Sequence, residues 1–260
     1  MKITLFTSNQ TRHLNFAIKL AAISDELFLV SESRTVFPGK VKDFFDKSLI
    51  MQQYFSKVID SEKKFFGNIN FLPKNIRTLP IKAGDLNFLS RDQLKECLSS
   101  DIFIVFGSSF IKGWLIDFLI QKGAFNLHMG LSPFYRGSAC NFWALYDKKP
   151  SYIGATIHLL SKGLDSGDII YHSVPTYKKT DSCFDFTMRA VVSAQESFIY
   201  RIKDKTLFKL KPCKQNSLDQ IRYSKNSQFK DEIAKNFMEN EDSFLPKYFE
   251  YPNLYNPLFL

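Results

Sequence analysis

Residues 101–128 read Asp-Ile-Phe-Ile-Val-Phe-Gly-Ser-Ser-Phe-Ile-Lys-Gly-Trp-Leu-Ile-Asp-Phe-Leu-Ile-Gln-Lys-Gly-Ala-Phe-Asn-Leu-His. The apolar run over 101–106 predicts a buried strand, and Gly107-Ser108-Ser109 ends it. The spacing of apolar residues over 111–121 predicts a helix. A second short strand is predicted over 124–127. A strand, a helix and a strand in this order are typical of a parallel α/β sheet.

The same alternation continues towards both ends of the chain. Residues 2–7 and 26–30 are predicted strands, and the helical apolar spacing over 12–23 places a helix between them. Further strands are predicted over 153–160 and 168–174. These elements indicate an α/β fold built on a doubly wound, mostly parallel, Rossmann-like sheet.

Three other segments give weaker signals. Apolar positions over 40–61 suit one amphipathic helix. Residues 67–90 show no regular pattern. A long helix that runs to about Lys203 is expected to begin at Thr180-Asp181, because Thr and Asp are favoured N-cap residues.

The chain is expected to form one domain over residues 1–203, followed by a short C-terminal appendage over 204–260. A length of 260 residues fits one large α/β domain, or a core of about 200 residues with an extension. The last segment mixes Lys, Tyr and Phe with three late prolines. We expect it to serve dimerisation or substrate contact.

The composition excludes several classes of protein. No apolar run approaches the roughly 20 residues that a membrane helix needs. The start of the chain, Met1–Phe6, is too short and strand-like for a signal peptide, so a cytoplasmic location is expected. The four cysteines and four histidines lack the spacing of a zinc site or a disulfide framework, and no metal is expected.

The formal net charge is +9, which favours anionic partners. The Lys and Arg residues are spread along the chain without a basic block. Nucleic acid is therefore not expected as a partner, and a small anionic substrate explains the charge equally well.

The candidate chemistry lies in Asn126, His128 and Asp165. Asn126 and His128 are two positions apart on a predicted strand, so both side chains point to one face. An amide and an imidazole can donate hydrogen bonds to a developing oxyanion, and a carboxylate can orient the imidazole or take a proton. Taken alone, the pair also suits structural hydrogen bonding, and Asp165 between glycines also suits a simple turn.

A longer pattern surrounds these residues. It runs from Phe125-Asn-Leu-His-Met-Gly-Leu-Ser-Pro-Phe-Tyr-Arg-Gly through Asn141-Phe-Trp-Ala and Gly154-Ala-Thr-Ile-His to Gly163-Leu-Asp-Ser-Gly-Asp-Ile-Ile. In content and order, this pattern closely resembles the formyltransferase family, whose members use 10-formyltetrahydrofolate. The resemblance covers roughly residues 95–203.

The resemblance implies that Asn126, His128 and Asp165 are catalytic. A primary amine would attack the formyl group carried by the folate. Asn126 and His128 would donate to the resulting oxyanion, and loss of one such donor typically costs about 3 kcal/mol of barrier. Asp165, directly or through a water, would accept the amine proton and fix the imidazole.

The resemblance also implies a set of residues that contact 10-formyltetrahydrofolate. Phe106 and Gly107 match the strand end that the family places against the pteridine, and the loop 130–133 matches the one that grips the folate with backbone groups. The full implied set is Phe106, Gly107, Gly130, Leu131, Ser132, Pro133, Gly163 and Asp168. This chain departs from the family at Met129-Gly130 and Ser132, and by one extra residue between Trp143 and Gly154.

Other residues receive structural interpretations. Trp143 is expected to pack in the core rather than stack on a ligand. His158 is expected to be a hydrogen-bonded structural histidine. Arg12 and His13 are expected to form a solvated helix start rather than an anion contact.

The choice among possible amine acceptors is narrowed by features of other family branches that this sequence lacks. The turn Thr7–Arg12 has no glycine and so lacks an evident phosphate nest. The segment after residue 203 is shorter than the basic domain of about 100 residues that the initiator-tRNA branch carries. The chain starts directly at its first strand, whereas the hydrolase branch carries an extra amino-terminal domain.

A nucleotide-linked amino sugar is therefore the expected acceptor. Members of the sugar-modifying branch often form dimers, so the resemblance also implies a homodimer as one oligomeric state of this protein. Methionyl-tRNA, glycinamide ribonucleotide, hydrolysis of formyltetrahydrofolate and a catalytically idle binding protein remain the alternatives.

Overall fold

The computed structural model describes residues 1–33, 42–245 and 249–260. Its strands, in chain order, are β1 (Lys2–Ser8), β2 (Glu26–Ser33), β3 (Ile76–Lys82), β4 (Ile102–Phe106), β5 (Phe125–His128), β6 (Tyr135–Gly137), β7 (Ala155–Leu159), β8 (Ile169–Val174), β9 (Arg222–Ser224) and β10 (Leu258–Phe259). Its α-helices are α1 (Thr11–Ala21), α2 (Lys42–Phe45), α3 (Leu49–Phe66), α4 (Gly113–Gln121), α5 (Cys140–Tyr146), α6 (Cys183–Lys203), α7 (Asp231–Glu239) and α8 (Glu241–Phe244).

Eight strands form one central sheet in the order β10-β8-β7-β5-β4-β1-β2-β3. The pairings from β5 through β4, β1 and β2 to β3 are all parallel, and so is that of β10 with β8. Strand β7 runs antiparallel to both of its neighbours. The prediction of a mostly parallel α/β sheet is confirmed.

Helices cover both faces of this sheet. Side chains of α1, α3 and α6 pack with alternate strand residues such as Leu5 and Ile104 in one apolar cluster. Side chains of α4 pack with the intervening residues, such as Phe6 and Val105, in a cluster on the opposite face. Strands buried on both faces explain why the sequence reads as apolar runs rather than as alternation.

The order of strands reverses between β1 and β4. From β1 the chain proceeds outwards through β2 to β3, and then returns to place β4 on the other side of β1. The carboxyl ends of β1 and β4 therefore flank a topological switch point, where open α/β sheets bind ligands. Strand β5, which carries two of the candidate residues, lies next to β4.

The prediction of one helix over 40–61 is wrong for the part that the structure describes. Helix α2 ends at Phe45, and α3 begins at Leu49 after Ser48 accepts a hydrogen bond from the amide of Met51. The side chain of Gln52 donates to the carbonyls of Phe45 and Lys47, which holds the break closed. Residues 34–41, including the start of the predicted helix, lie outside the described residues.

Segment 67–90, which lacked a regular pattern, contains β3. This strand forms the edge of the sheet beside β2, and most of its residues are exposed, including Pro80. An exposed edge strand has no apolar face to reveal it in the sequence. The long helix α6 also begins two residues later than expected, because Ser182 forms its capping box with Asp185, while Asp181 pairs with Arg189.

The residues after 203 run alongside the earlier part of the chain. Strand β9 pairs in parallel with the short strand β6 in a separate two-stranded sheet, and β10 pairs with β8. Phe237 and Phe244 are buried in an apolar cluster with Phe142 and Trp143. In the part of the chain with described coordinates, no helix is both long enough and apolar enough to span a bilayer.

Candidate active site

The three candidate catalytic residues come together at the carboxyl end of β5. The Oδ1 atom of Asp165 lies 3.3 Å from Nδ1 of His128 and 3.5 Å from Nδ2 of Asn126. The side chains of His128 and Asp165 are 7% and 9% exposed, whereas Asn126 is only half-buried. One carboxylate oxygen therefore joins the amide and the imidazole.

Both nitrogens of His128 face acceptors. Its Nε2 atom lies 3.2 Å from the carbonyl of Tyr135, and its Nδ1 atom faces Asp165. A ring between a carbonyl and a carboxylate donates from both nitrogens, so it is the charged imidazolium. A Cβ atom at Gly130 would lie 2.8 Å from Nε2 of His128 and 2.5 Å from Cβ of Cys140, so this position requires glycine.

The charges of the pair support each other. Burial by itself lowers the pKa of His128, but the adjacent Asp165 carboxylate and the Cys140 side chain together raise it well above its ordinary value. Burial by itself raises the pKa of Asp165, but His128, together with His158 and the amide of Gly137, lowers that pKa to about 2. The site therefore holds an imidazolium–carboxylate pair at neutral pH.

Asp165 lies in a turn whose backbone is strained. Its φ angle of 47° is in the left-handed region, which is uncommon for residues other than glycine. The amide of Gly137 donates to Oδ2 of Asp165 over 3.3 Å, and Nη2 of Arg136 donates to the carbonyl of Leu164 over 2.6 Å. Strand β6, which carries Arg136 and Gly137, therefore supports this turn.

His158 holds the amide of Asn126 in place. Its Nδ1 atom lies 2.7 Å from the carbonyl of Leu159 and so carries the proton, which leaves Nε2 to accept from Nδ2 of Asn126 over 3.0 Å. Burial lowers the pKa of His158 to about 4, which keeps the ring neutral. The expectation of a hydrogen-bonded structural histidine is confirmed, but its partnership with Asn126 was not foreseen.

The loop 130–133 is held from inside the protein. Thr156 donates to the carbonyl of Gly130 and accepts from the amide of Ser132, each over 2.7 Å. Nε2 of His172 donates to the carbonyl of Ser132 over 2.8 Å, and its Nδ1 accepts from the amide of Tyr255. The carbonyls of Gly130 and Ser132 and the amide of Ser132 are therefore already hydrogen-bonded within the protein. The peptide bond between Ser132 and Pro133 is cis.

The strand end at Phe106 and Gly107 packs against His13. The rings of His13 and Phe106 meet edge to face with centroids 4.7 Å apart, and a Cβ atom at Gly107 would lie 2.7 Å from Nε2 of His13. His13 is 4% exposed, and Arg12 pairs with Glu62 over 3.1 Å. The expectation of a solvated helix start is wrong, because the helix turns these side chains onto neighbouring elements.

Gly163 and Asp168, the remaining predicted folate contacts, lie in or next to the same turn. Asp168 is half-buried at the start of β8, and a Cβ atom at Gly163 would lie 2.3 Å from Oγ of Ser166. Trp143 is 2% exposed, and the guanidinium of Arg222 lies 3.9 Å from its ring centroid. The interpretation of Trp143 as a core residue is confirmed.

This arrangement defines a class of chemistry. Two nitrogen donors and one carboxylate converge at the end of a parallel strand, next to a topological switch point. Such donors can polarise a carbonyl, and the carboxylate can receive a hydrogen bond from an attacking nucleophile.

Comparison with protein families gives the class a name. Residues 93–202 match the family model described as formyl transferase. The matched segment contains Asn126, His128 and Asp165 and ends within α6. The resemblance seen in the sequence is therefore confirmed for this segment.

A curated relative matches a segment of similar length. The methionyl-tRNA formyltransferase of Chlamydia caviae is 37% identical over 99 residues, which are 38% of this chain and 30% of that protein. The chain thus matches less than a third of the length of this relative.

Solved structures match over a longer range. A 4-N formyltransferase from Francisella tularensis is 22% identical with a TM-score of 0.54, covering 88% of this chain and 77% of that one. An N-formyltransferase from Helicobacter canadensis, in complex with folinic acid and dTDP-3-aminofucose, is 15% identical with a TM-score of 0.51, covering 97% and 84%. At these identities the likeness shows a shared fold.

Proposed function

We propose that this protein transfers a formyl group from 10-formyltetrahydrofolate to a primary amine on a nucleotide-linked amino sugar. The observation that carries the proposal is the Oδ1 atom of Asp165, which faces both Nδ1 of His128 and Nδ2 of Asn126. The family match over residues 93–202 supports the formyl group as the one transferred.

Asn126 is assigned the role of donor to the formyl oxygen. Of its two amide hydrogen bonds, the one to His158 is short at 3.0 Å and the one to Asp165 is long at 3.5 Å. The long bond is the weaker one and can be exchanged for a carbonyl oxygen, while His158 keeps the amide oriented. Because Asn126 is half-buried, the formyl group would approach from its side.

His128 is assigned the role of a positively charged group near the formyl oxygen, because both of its N–H groups already donate within the protein. Its imidazolium form adds a positive charge close to the oxygen on which negative charge develops, in a largely buried site where such interactions are strong. Tyr135 and Asp165 fix the ring plane from opposite sides.

Asp165 is assigned the role of hydrogen-bond acceptor for the attacking amine. A carboxylate with a pKa of about 2 is a weak base, so it stays ionised and accepts a hydrogen bond from the attacking amine. It also maintains the charge of His128. The amine forms a bond to the formyl carbon, and the bond between that carbon and the folate nitrogen breaks. The proton that the amine loses ends on this folate nitrogen.

The folate side of the site is assigned to the residues that the sequence pattern placed there. Phe106 and Gly107 lie at the end of β4, and the loop 130–133 follows β5 directly. The hydroxyl of Ser132 and Nε of Arg136 are buried without a hydrogen-bond partner among the described residues.

The choice of acceptor rests on the turn after β1 and on the solved relatives. Residues 7–12 contain no glycine, so the turn after β1 has no glycine-rich loop to bind a terminal phosphate. Arg12 of this turn forms an ion pair with Glu62 and is not free to bind a phosphate. The Helicobacter canadensis protein of similar fold was crystallised with a nucleotide-linked aminosugar.

A second candidate acceptor is methionyl-tRNA. The 37% identity to a methionyl-tRNA formyltransferase over 99 residues favours it, as does the net charge of +9. Both acceptors carry a primary amine and would use the same three catalytic residues.

One assay separates these possibilities. The protein is incubated with 10-formyltetrahydrofolate and, in parallel, a panel of nucleoside-diphosphate amino sugars, methionyl-tRNA, or no acceptor. We expect formylation of an amino sugar, detected by mass spectrometry. Formylation of methionyl-tRNA alone would replace the acceptor, and formate released without any acceptor would identify a hydrolase. No reaction in any arm would contradict the proposal.

A further inference from the structure

The geometry points to Gln215 as a positioning residue that holds the turn of Asp165 in the conformation the site requires. Its catalytic consequence rests on the proposed formyl transfer. Gln215 lies outside the segment that matches the formyl transferase family, in the chain after α6.

Gln215 grips the turn at two points. Its Nε2 atom donates to the carbonyl of Asp165 over 2.9 Å and to the carbonyl of Gly167 over 2.7 Å. Its Oε1 atom is buried with no partner among the described residues. The reverse orientation of the amide would set an oxygen against two carbonyls, so the donor assignment follows from the contacts.

These hydrogen bonds from Gln215 hold a backbone conformation at Asp165 that is unfavourable on its own. Asp165 has a φ angle of 47°, and such conformations cost about 1 kcal/mol or more and persist when surrounding groups enforce them. The two carbonyls that Gln215 holds lie on either side of Ser166. With the turn fixed at both points, the carboxylate of Asp165 has a defined direction.

Gln215 is itself anchored in the chain on both sides. Two positions earlier, Cys213 exchanges backbone hydrogen bonds of 2.7 and 2.8 Å with Ile169 at the start of β8. Further on, β9 pairs with β6, whose Gly137 donates to the same carboxylate. Residues 213–224 thus connect the two segments that support Asp165.

The site is sensitive to small movements of this turn. The contacts of Asp165 with His128 and Asn126 are 3.3 and 3.5 Å, at the long end of the hydrogen-bond range. Hydrogen bonds weaken steeply beyond these distances, and a misplacement of about 1 Å can cost about 100-fold in rate. Loss of the grip would therefore loosen both catalytic partners together.

The test replaces Gln215 with side chains of similar length. Gln215→Met removes the donors while keeping the volume, and Gln215→Lys keeps a nitrogen donor. Gln220→Met is the matched control, because Gln220 is an exposed residue of the same segment. Folding of each variant is checked by circular dichroism and urea unfolding.

The first measurement does not need activity. The chain has four histidines, so single substitutions assign the ring signals in an NMR titration. In Gln215→Met the pKa of His128 should fall by about one pH unit, since the carboxylate that raises it is no longer held. Gln220→Met should titrate as the wild type. An unchanged His128 pKa in folded Gln215→Met would overturn the inference, even if the protein formylates nothing.

The second measurement uses formyl transfer. We expect kcat to fall about 10-fold to 100-fold in Gln215→Met with KM for the folate within about 2-fold, and Gln215→Lys to recover part of the loss. Equal losses in the Met and Lys variants would assign Gln215 a packing role and reject positioning by hydrogen bonds. If Gln215→Met does not fold, the His128 titration of Gln215→Ala decides: a lowered pKa supports donor positioning, and a wild-type pKa opposes it.

Discussion

The carboxyl ends of β5 and β1 lie on either side of β4, and a buried histidine lies at each. At the β5 end, His128 faces the carboxylate of Asp165, which together with Cys140 raises its pKa well above the ordinary value. At the β1 end, His13 faces the hydroxyl of Ser8 and the ring of Phe106. There burial, with a smaller effect of Arg12, lowers the pKa of His13 well below the ordinary value.

The difference shows that burial does not decide the charge of a histidine in this fold. Both rings are almost fully buried, and only the one beside a carboxylate is charged. His158 and His172 belong with His13, because each is neutral and donates to a backbone carbonyl rather than to a carboxylate. The neutral histidines hold loops and side chains in place, and the charged one is available for chemistry.

Removing the carboxylate should give the largest effect. In Asp165→Asn we expect kcat for formyl transfer to fall about 1000-fold, because the imidazolium and the amine both lose their charged partner. The pKa of His128 should fall below its ordinary value and so resemble that of His13. Stopped assays and NMR titration measure the two changes.

Asp117→Asn serves as the control for this substitution. Asp117 is an exposed partner of Lys162 and should leave both quantities unchanged. A histidine that stays charged at neutral pH in Asp165→Asn would show that some other group, and not the carboxylate, distinguishes the β5 end from the β1 end.

The next largest effect concerns stability against pH. Burial lowers the pKa of His172 to about 4, so the unfolded chain binds its proton more readily than the folded protein below about pH 6.5. The free energy of unfolding should therefore fall as pH drops towards 4, by about 3 kcal/mol for this group. Protonation would place an N–H on Nδ1, against the amide of Tyr255.

The measurement is urea unfolding of wild-type protein and His172→Gln at about pH 7 and about pH 4.5. The variant should lose less stability between these conditions. His128 has the opposite sign: its raised pKa stabilises the fold below the unfolded pKa, and this contribution is lost as pH rises through the folded pKa. Identical pH profiles for the two proteins would contradict the neutral state of His172.

A smaller effect is expected at His158. His158→Phe removes the acceptor that orients Asn126, so kcat should fall about 30-fold with little change in KM. His158→Gln offers an amide oxygen in its place and should retain more activity. A Phe variant as active as the Gln variant would show that Asn126 needs no such partner.

The smallest effect compares two glycines. Gly107 and Gly123 have φ angles of 70° and 63°, but only at Gly107 would a Cβ atom meet a neighbour, Nε2 of His13. Both alanine substitutions incur the cost of left-handed backbone, and Gly107→Ala adds a clash. We expect Gly107→Ala to be about 1 kcal/mol more destabilising in urea unfolding. Equal losses would show that His13 can move aside.

The central strands could be predicted because they are buried on both faces. The run Asp101–Phe106 contains one polar residue, and its structure differs from the prediction by a single position. Strand β3 could not be predicted, because it is exposed and contains Pro80, and its register depends on hydrogen bonds to β2. The break between α2 and α3 depends on the side chains of Ser48 and Gln52, which apolar spacing does not report.

The catalytic trio could be proposed from spacing and family pattern, but its supports could not. Asn126 lies opposite His158 only because β5 and β7 pair in one register. Gln215 reaches the Asp165 turn from 50 positions further along the chain. Such contacts depend on tertiary structure, and the local sequence around His158 or Gln215 does not predict them.

The reversal of strand order between β1 and β4 also bears on how the chain folds. Ile3 lies opposite Leu27 in one neighbour and Ile102 in the other, so the two pairings close loops of about 25 and about 100 residues. The longer closure costs about 1 kcal/mol more in chain entropy before any contact is gained. We therefore expect the β1–β2 pair to assemble early, and the crevice beside β4 to be created in a later, slower step.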